Sequence, residues 1–188
     1  MKGIIFNIAE AFIRTEYGDE AYDKIVSHSS FQTNEPFVGP GTYPDSDFLE
    51  MVGKAISELG LEPAIFLKKF GHFAFFKLAE RHPNFLSGME HPKDFLKTVN
   101  DVVHVEVRKL YSQAYLPTFT YADPSEDELV ITYHSKRKLY PFMEGLIDGV
   151  ATYFKTPILQ EQVIYQKNGE EFCDFKLKFE HGFKRKGS

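Results

Sequence analysis

The chain has 188 residues, enough for one domain with a sizeable core and too few for two independent ones. A formal net charge of −5 removes the basic footprint of a nucleic-acid binder. The single cysteine, Cys173, excludes a disulfide framework, a CxxCH covalent cofactor attachment and a multi-cysteine zinc or iron–sulfur site. Aromatic content is 15%, with 19 Phe, 10 Tyr and no Trp, which reads either as a large ring-filled core or as a cavity lined to enclose a planar ligand.

The N-terminal segment MKGIIFNIAEAFIRTEYG is interrupted by Asn7, Glu10 and Arg14, so it does not read as a signal peptide, and no apolar run reaches the length of a membrane span. These features predict a soluble cytoplasmic protein without membrane partners. Ile5, Ile8, Ala9 and Phe12 recur at helical spacing, with Gly18 placed to end that helix, and a short second helix follows over Glu20 to His28. Residues 29 to 44 carry Pro36, Gly39, Pro40, Gly41 and Pro44 and read as a loop. Ser46 or Asp47 is positioned to cap a helix carrying Leu49, Val52, Ile56 and Leu59, closed by Gly60. Pro63 suits the first turn of the next helix, which runs through Ile65, Phe66, Phe70 and Phe73 towards His82-Pro83. Phe95, Leu96, Val99, Val103, Val107 and Leu110 form a further stripe ending before Leu116-Pro117.

The period then changes. Leu129 to Tyr133 reads as a strand, and Tyr140 to Phe154 as a helix burying Phe142, Leu146, Val150 and Phe154. Two alternating runs flank Asn168-Gly169, the strongest short hairpin signal. The basic run Lys184 to Lys186 reads as a solvated tail. The fold class is α+β, helices first and an antiparallel sheet last.

Two features carry chemistry. His104, in NDVVHVEVRKLY, lies on the flank of the Val103–Val107–Leu110 stripe, with Asn100 and Arg108 one turn away and Tyr111 two turns on. That position by itself suits first a boundary histidine bonded to a neighbour, and second a neutral imidazole whose ring nitrogen binds a metal. Tyr133, Ser135 and Arg137 are spaced by two, so in an extended segment they share a face that His134 and Lys136 avoid. The triplet reads as a polar sheet face, or as a site where Arg137 grips a carboxylate or phosphate while two hydroxyls donate to its remaining oxygens.

Taken together, the MKG start, the His104 helix ending in KLY, Leu116-Pro117, Tyr-x-Ser-x-Arg and the GLIDG helix with its terminal hairpin resemble the haem nitric oxide/oxygen binding (H-NOX) family, whose module also occurs in soluble guanylate cyclase. The resemblance covers essentially the whole chain. It implies one domain over 1–188, with a distal helical part at roughly 1–62 and a proximal part at 63–188, and a non-covalent haem b buried between helices and sheet. It implies His104 as the axial iron ligand, Tyr133, Ser135 and Arg137 as propionate binders, and Pro117 as the residue that distorts the porphyrin.

In the family a distal tyrosine nine positions after the motif tyrosine heads the network that holds dioxygen; here that position is Phe142, and two supporting polar positions fall on Ala9 and Ala74. Ile5, Leu78 and Leu146 complete the expected apolar lining. A dry pocket without donors withholds the hydrogen bond that bound dioxygen needs and nitric oxide does not. Tyr140 and His72 are the two side chains that could supply a donor after all, although Tyr140 lies roughly 200° round a helix from Phe142.

The expected function is a non-enzymatic sensor of nitric oxide, also binding carbon monoxide, that signals by release of His104 to a separate histidine kinase or diguanylate cyclase/phosphodiesterase. Some relatives carry a structural zinc; Cys173 falls at one such position without partners, so no zinc is expected. A dioxygen-binding haem protein and a haem-free carboxylate or phosphate binder are the alternatives.

Overall fold

A computed structural model describes residues 1–34, 36–110 and 114–180, with the side chain of Leu110 left out. Tyr111, His181 and the basic run Lys184 to Lys186 lie outside the described residues. The helices are α1 (Gly3–Tyr17), α2 (Asp19–Ser27), α3 (Asp45–Leu59), α4 (Pro63–Arg81), α5 (Pro92–Thr98), α6 (His104–Leu110) and α7 (Tyr140–Phe154). The strands are β1 (Thr118–Ser125), β2 (Glu128–His134), β3 (Ile158–Lys167) and β4 (Glu170–Phe179), forming one antiparallel sheet in the order β1-β2-β4-β3.

Two apolar cores result. The first gathers Phe6, Phe12, Phe48, Met51, Phe66 and Phe70 from α1, α3 and α4. The second packs Met143, Ile147 and Val150 of α7 on the inner sheet face, where Leu129, Ile131, Phe175 and Leu177 alternate inward. Helix α4 serves both, giving Ala74 to the first core and Phe75 to the second, and Leu146 packs against each. Helices α4 and α7 touch backbone to backbone at two glycines. A methyl group at Gly71 would collide with the Phe142 carbonyl, and one at Gly145 with the Lys68 carbonyl, so neither position has room for a side chain. Lys68 then bridges the pair of helices through Glu144 and Asp148.

The structure departs from the sequence pattern in four places. The stripe from Phe95 to Leu110 is not one helix: a π-turn over Val99–Val103 separates α5 from α6. Its cause is local competition, because the Asn100 N–H donates to the Tyr121 hydroxyl (3.2 Å) instead of continuing the helical ladder, and Asn100 Oδ1 accepts from the Phe119 N–H (3.2 Å). Strand β1 is additional; its Thr-Phe-Thr-Tyr alternation runs directly into Asp123-Pro124, turn residues that hide it. Neither Ser46 nor Asp47 caps α3, whose cap residue is Pro44. Asp47 is buried and faces backwards, accepting from the N–H groups of Gln32 (2.8 Å) and Thr33 (3.1 Å) and from the Thr33 hydroxyl (2.6 Å). It therefore anchors the loop over 29–44. Finally, β2 ends at His134, so strand alternation does not extend to Arg137.

Candidate haem site

His104 is the first residue of α6, immediately after the π-turn, and the bonds that create the turn also hold that helix against β1. Its ring stacks on Phe119 (centroids 5.3 Å apart, 28° between planes), and Phe119 lies 5.7 Å from the Tyr133 ring. Burial pushes the imidazole pKa down to about 4, Arg108 adds to the fall, and the Pro117 carbonyl opposes it only in part. The ring is therefore neutral at pH 7, the form that ligates metals. Its Nδ1 is buried without a hydrogen-bond partner among the described residues. Buried polar nitrogens are rarely left so, and an unpaired one on a neutral imidazole suits a metal bond.

Tyr133 and Ser135 are both buried where β2 leaves the sheet. The Tyr133 hydroxyl is engaged by Ser135 and by the Leu139 backbone, although burial still raises its pKa. Arg137 is brought to the same place by a tight turn, not by alternation: the Lys138 N–H donates to the Ser135 carbonyl (3.2 Å), and the Arg137 N–H to Ser135 Oγ (3.2 Å). The turn is needed because α7 begins at Tyr140, with Pro141 in its first turn.

The Arg137 guanidinium does not point freely. Nε and Nη2 grip Asp45 at the start of α3 (2.7 and 2.9 Å), Nη1 donates to the Tyr115 carbonyl (2.7 Å), and the group lies 4.7 Å from the centroid of the Tyr115 ring. Asp45 also accepts from the Met1 ammonium (2.5 Å). These two cations, opposed by burial, hold the Asp45 carboxyl below its usual range. A guanidinium has five N–H donors, so donors remain for a ligand carboxylate beside Tyr133 and Ser135. Asp45 carried no sequence signal of this role; only the fold brings it to Arg137, 92 positions away.

Ile5, Ala9, Ala74, Leu78, Phe142 and Leu146 all belong to the first apolar core, with Ala9 and Ala74 buried and the Phe142 ring 4.9 Å from Phe70. The two donors singled out in the sequence are bonded elsewhere, whereas the Tyr17 hydroxyl, packed against the same core, is buried without a partner among the described residues. Tyr140 donates its hydroxyl to Glu171 on β4 (2.7 Å), and His72 Nε2 meets Thr152 Oγ1 on α7 (3.2 Å). Cys173 is buried on the inner sheet face, and no group of three metal-binding side chains occurs among the described residues.

Residues 2–162 match the family model described as Haem-NO-binding. This chain belongs to the Haem-NO-binding family. Its fold is that of solved H-NOX proteins. The Fe(II) unliganded H-NOX mutant A71G from K. algicida is 26% identical, with a TM-score of 0.88, covering 97% of this chain and 98% of that one. The S. oneidensis H-NOX protein in the Fe(II)NO state is 25% identical, with a TM-score of 0.87, covering 96% and 100%. Soluble guanylate cyclase 89Db of Drosophila melanogaster is 24% identical over 168 residues, 82% of this chain. The chain spans 23% of that cyclase's length. Haem binding and gas sensing are thus family properties, and the buried orphan nitrogen of His104 with the Tyr133–Ser135–Arg137 cluster fits the cofactor.

Proposed function

We propose that this chain is a nitric oxide sensor holding a non-covalent haem b. His104 would bind the iron, Tyr133, Ser135 and Arg137 would hold the propionates, and Pro117 would press on the porphyrin. Residues 1–62 form the distal part and 63–188 the proximal part. The bound haem supplies the iron that takes the gas; the chain supplies position, dryness and a releasable ligand.

The observation that carries the choice of gas is that Ile5, Ala9, Ala74, Leu78, Phe142 and Leu146 share one apolar cluster while Tyr140 and His72 are bonded elsewhere. These six side chains offer bound dioxygen no donor, whereas nitric oxide and carbon monoxide need none. Release of His104 then transmits the event. Its helix is short and joined to α5 by a π-turn that rests on two bonds from Asn100. Helix α6 can therefore move against the sheet without breaking a long helical ladder, and His104 bonding is the differential contact between two states.

The output passes to a separate protein, a histidine kinase or a diguanylate cyclase/phosphodiesterase, and the chain itself is not an enzyme and carries no zinc. We place it in the cytoplasm; among the described residues no helix is long and apolar enough to cross a membrane. The test is an absorption spectrum of the reduced protein, taken anaerobically, with nitric oxide, and after admission of air. Nitric oxide is expected to bind and displace His104, and air to leave no stable dioxygen spectrum. A persistent dioxygen spectrum would overturn the choice of gas; colourless protein that refuses added haemin would overturn the haem assignment.

A further inference from the structure

The two edges of the sheet are treated differently. The outer edge of β1 is covered: the Phe119 N–H donates to Asn100 Oδ1, Tyr121 meets the Asn100 N–H, and Asp123 ties to Lys93 and Lys97. Its register also slips between Ala122 and Ser125, beside Pro124. Strand β3 has none of these protections. It runs for 10 residues, contains no Pro or Gly, carries only Glu161 and Lys167 as charges, and has no strand beyond it among the described residues. A long, flat, weakly charged edge of this kind is a template for another strand.

The direction of its free backbone groups follows from the turn. Asn168 and Gly169 both have positive φ (54° and 81°), the mark of a two-residue type I′ hairpin, and Lys167 faces Glu170 across it. In such a hairpin the flanking pair exchanges both hydrogen bonds, and bonding alternates from there. Gln166, Ile164 and Gln162 therefore turn their N–H and C=O groups away from β4, onto the open edge.

We propose that this edge pairs with the same edge of a second copy, antiparallel and centred on Ile164. Residues 161–167 read Glu-Gln-Val-Ile-Tyr-Gln-Lys, and about Ile164 the run is self-complementary. Glu161 meets the second copy's Lys167, Gln162 its Gln166, Val163 its Tyr165, and Ile164 its twin. The centre lies on a residue whose backbone bonds are free, as a two-fold through a hydrogen-bonded pair requires. A slip by two residues keeps the bonds but sets Glu161 opposite Tyr165 in one direction and Lys167 opposite Val163 in the other, and a slip by one misdirects the bonds, so only the register centred on Ile164 pairs the two charges. Ile164, 55% exposed in the isolated chain, becomes covered by its twin. The Val163–Tyr165 pairs extend the stack that already runs from Tyr165 over Phe172 (5.8 Å) to His134 (4.6 Å). The pairing does not depend on haem.

Sedimentation velocity of the full chain, at concentrations up to about 1 mM, tests it through four variants. The natural chain should show a concentration-dependent dimer. Ile164→Pro removes an N–H that β4 does not use, together with the side chain that meets its twin, and should leave a folded monomer with an unchanged circular dichroism spectrum. Glu161→Lys and Lys167→Glu each set like charges opposite one another twice per dimer and should weaken it on the order of tenfold or more. The double variant Glu161→Lys/Lys167→Glu should restore it, which loss of the Glu161–Lys176 contact within one chain cannot explain. A natural chain that stays monomeric, a dimer indifferent to Ile164→Pro, or a charge reversal without rescue would each overturn the proposal.

Discussion

The two walls that converge on Leu146 handle polarity in opposite ways. On the sheet side nearly every polar group is matched: Tyr133 with Ser135 and Leu139, Tyr140 with Glu171, Asn100 with Tyr121 and Phe119, Arg137 with Asp45 and Tyr115. Among these bonded neighbours, His104 Nδ1 is left over. On the helical side, Ala9, Ala74 and Phe142 present methyl groups and a ring where a donor would change the chemistry. In the proposed reading one wall holds a ligand by fixed donors and the other discriminates by shape, so holding and choosing fall to different elements, and each can be perturbed separately.

The strongest test of the holding wall is His104→Gly. Loss of the proposed iron ligand should weaken haem retention by more than the roughly 10–100-fold typical of a residue that only orients a ligand. Added imidazole should restore the absorption spectrum; a variant that retains haem with an unaltered spectrum would show that another residue binds the iron. The choosing wall is tested by Phe142→Tyr, which adds one donor among apolar neighbours. Dioxygen retention measured by stopped-flow should rise on the order of 10–100-fold, the worth of one hydrogen bond in a dry site. No change would mean that Phe142 does not face the gas.

Arg137→Ala should act on both walls, because Arg137 ties the turn after β2 to Asp45 on α3. Asp45 keeps access to water, so the expected loss of stability is about 1–2 kcal/mol, read from the denaturant midpoint. A variant as stable as the natural chain would show the bridge to be incidental. A separate effect concerns pH in haem-free protein. His104 takes up a proton near its ordinary value of 6.5 when unfolded but only at about 4 when folded. Between those values the unfolded chain binds more protons, so stability should fall as pH is lowered from about 6.5 to about 4. His104→Leu should flatten that slope, and equal slopes would contradict the burial of the imidazole.

Much of the site is legible in the chain because its signals are local. A tyrosine, a serine and an arginine at fixed spacing, a proline before a strand, and Asn168-Gly169 between alternating runs each depend on a few neighbouring residues. The same holds for Ala9, Ala74 and Phe142, whose helical periodicity puts them on inward faces. The partner of Arg137 is different in kind. Nothing near Asp45 marks it, since its role exists only when α3 is packed beside the end of β2. The π-turn before His104 was hidden for a related reason: apolar spacing continues through it, and the bonds that open it come from β1.

By itself, then, the amino-acid sequence determined most of the helices, the terminal hairpin, which face of each is apolar, and which residue types stand at the proposed ligand, propionate and gas-facing positions. Side-chain chemistry and short-range periodicity are properties of the chain before it folds. Only the tertiary structure decided that Arg137 shares its donors with Asp45 and Tyr115, that Tyr140 and His72 are occupied elsewhere, that Nδ1 of His104 is left unpaired, and that β3 rather than β1 keeps an open edge. Each of these depends on which long-range partner reaches a polar group first, and that competition is resolved only when the chain closes on itself.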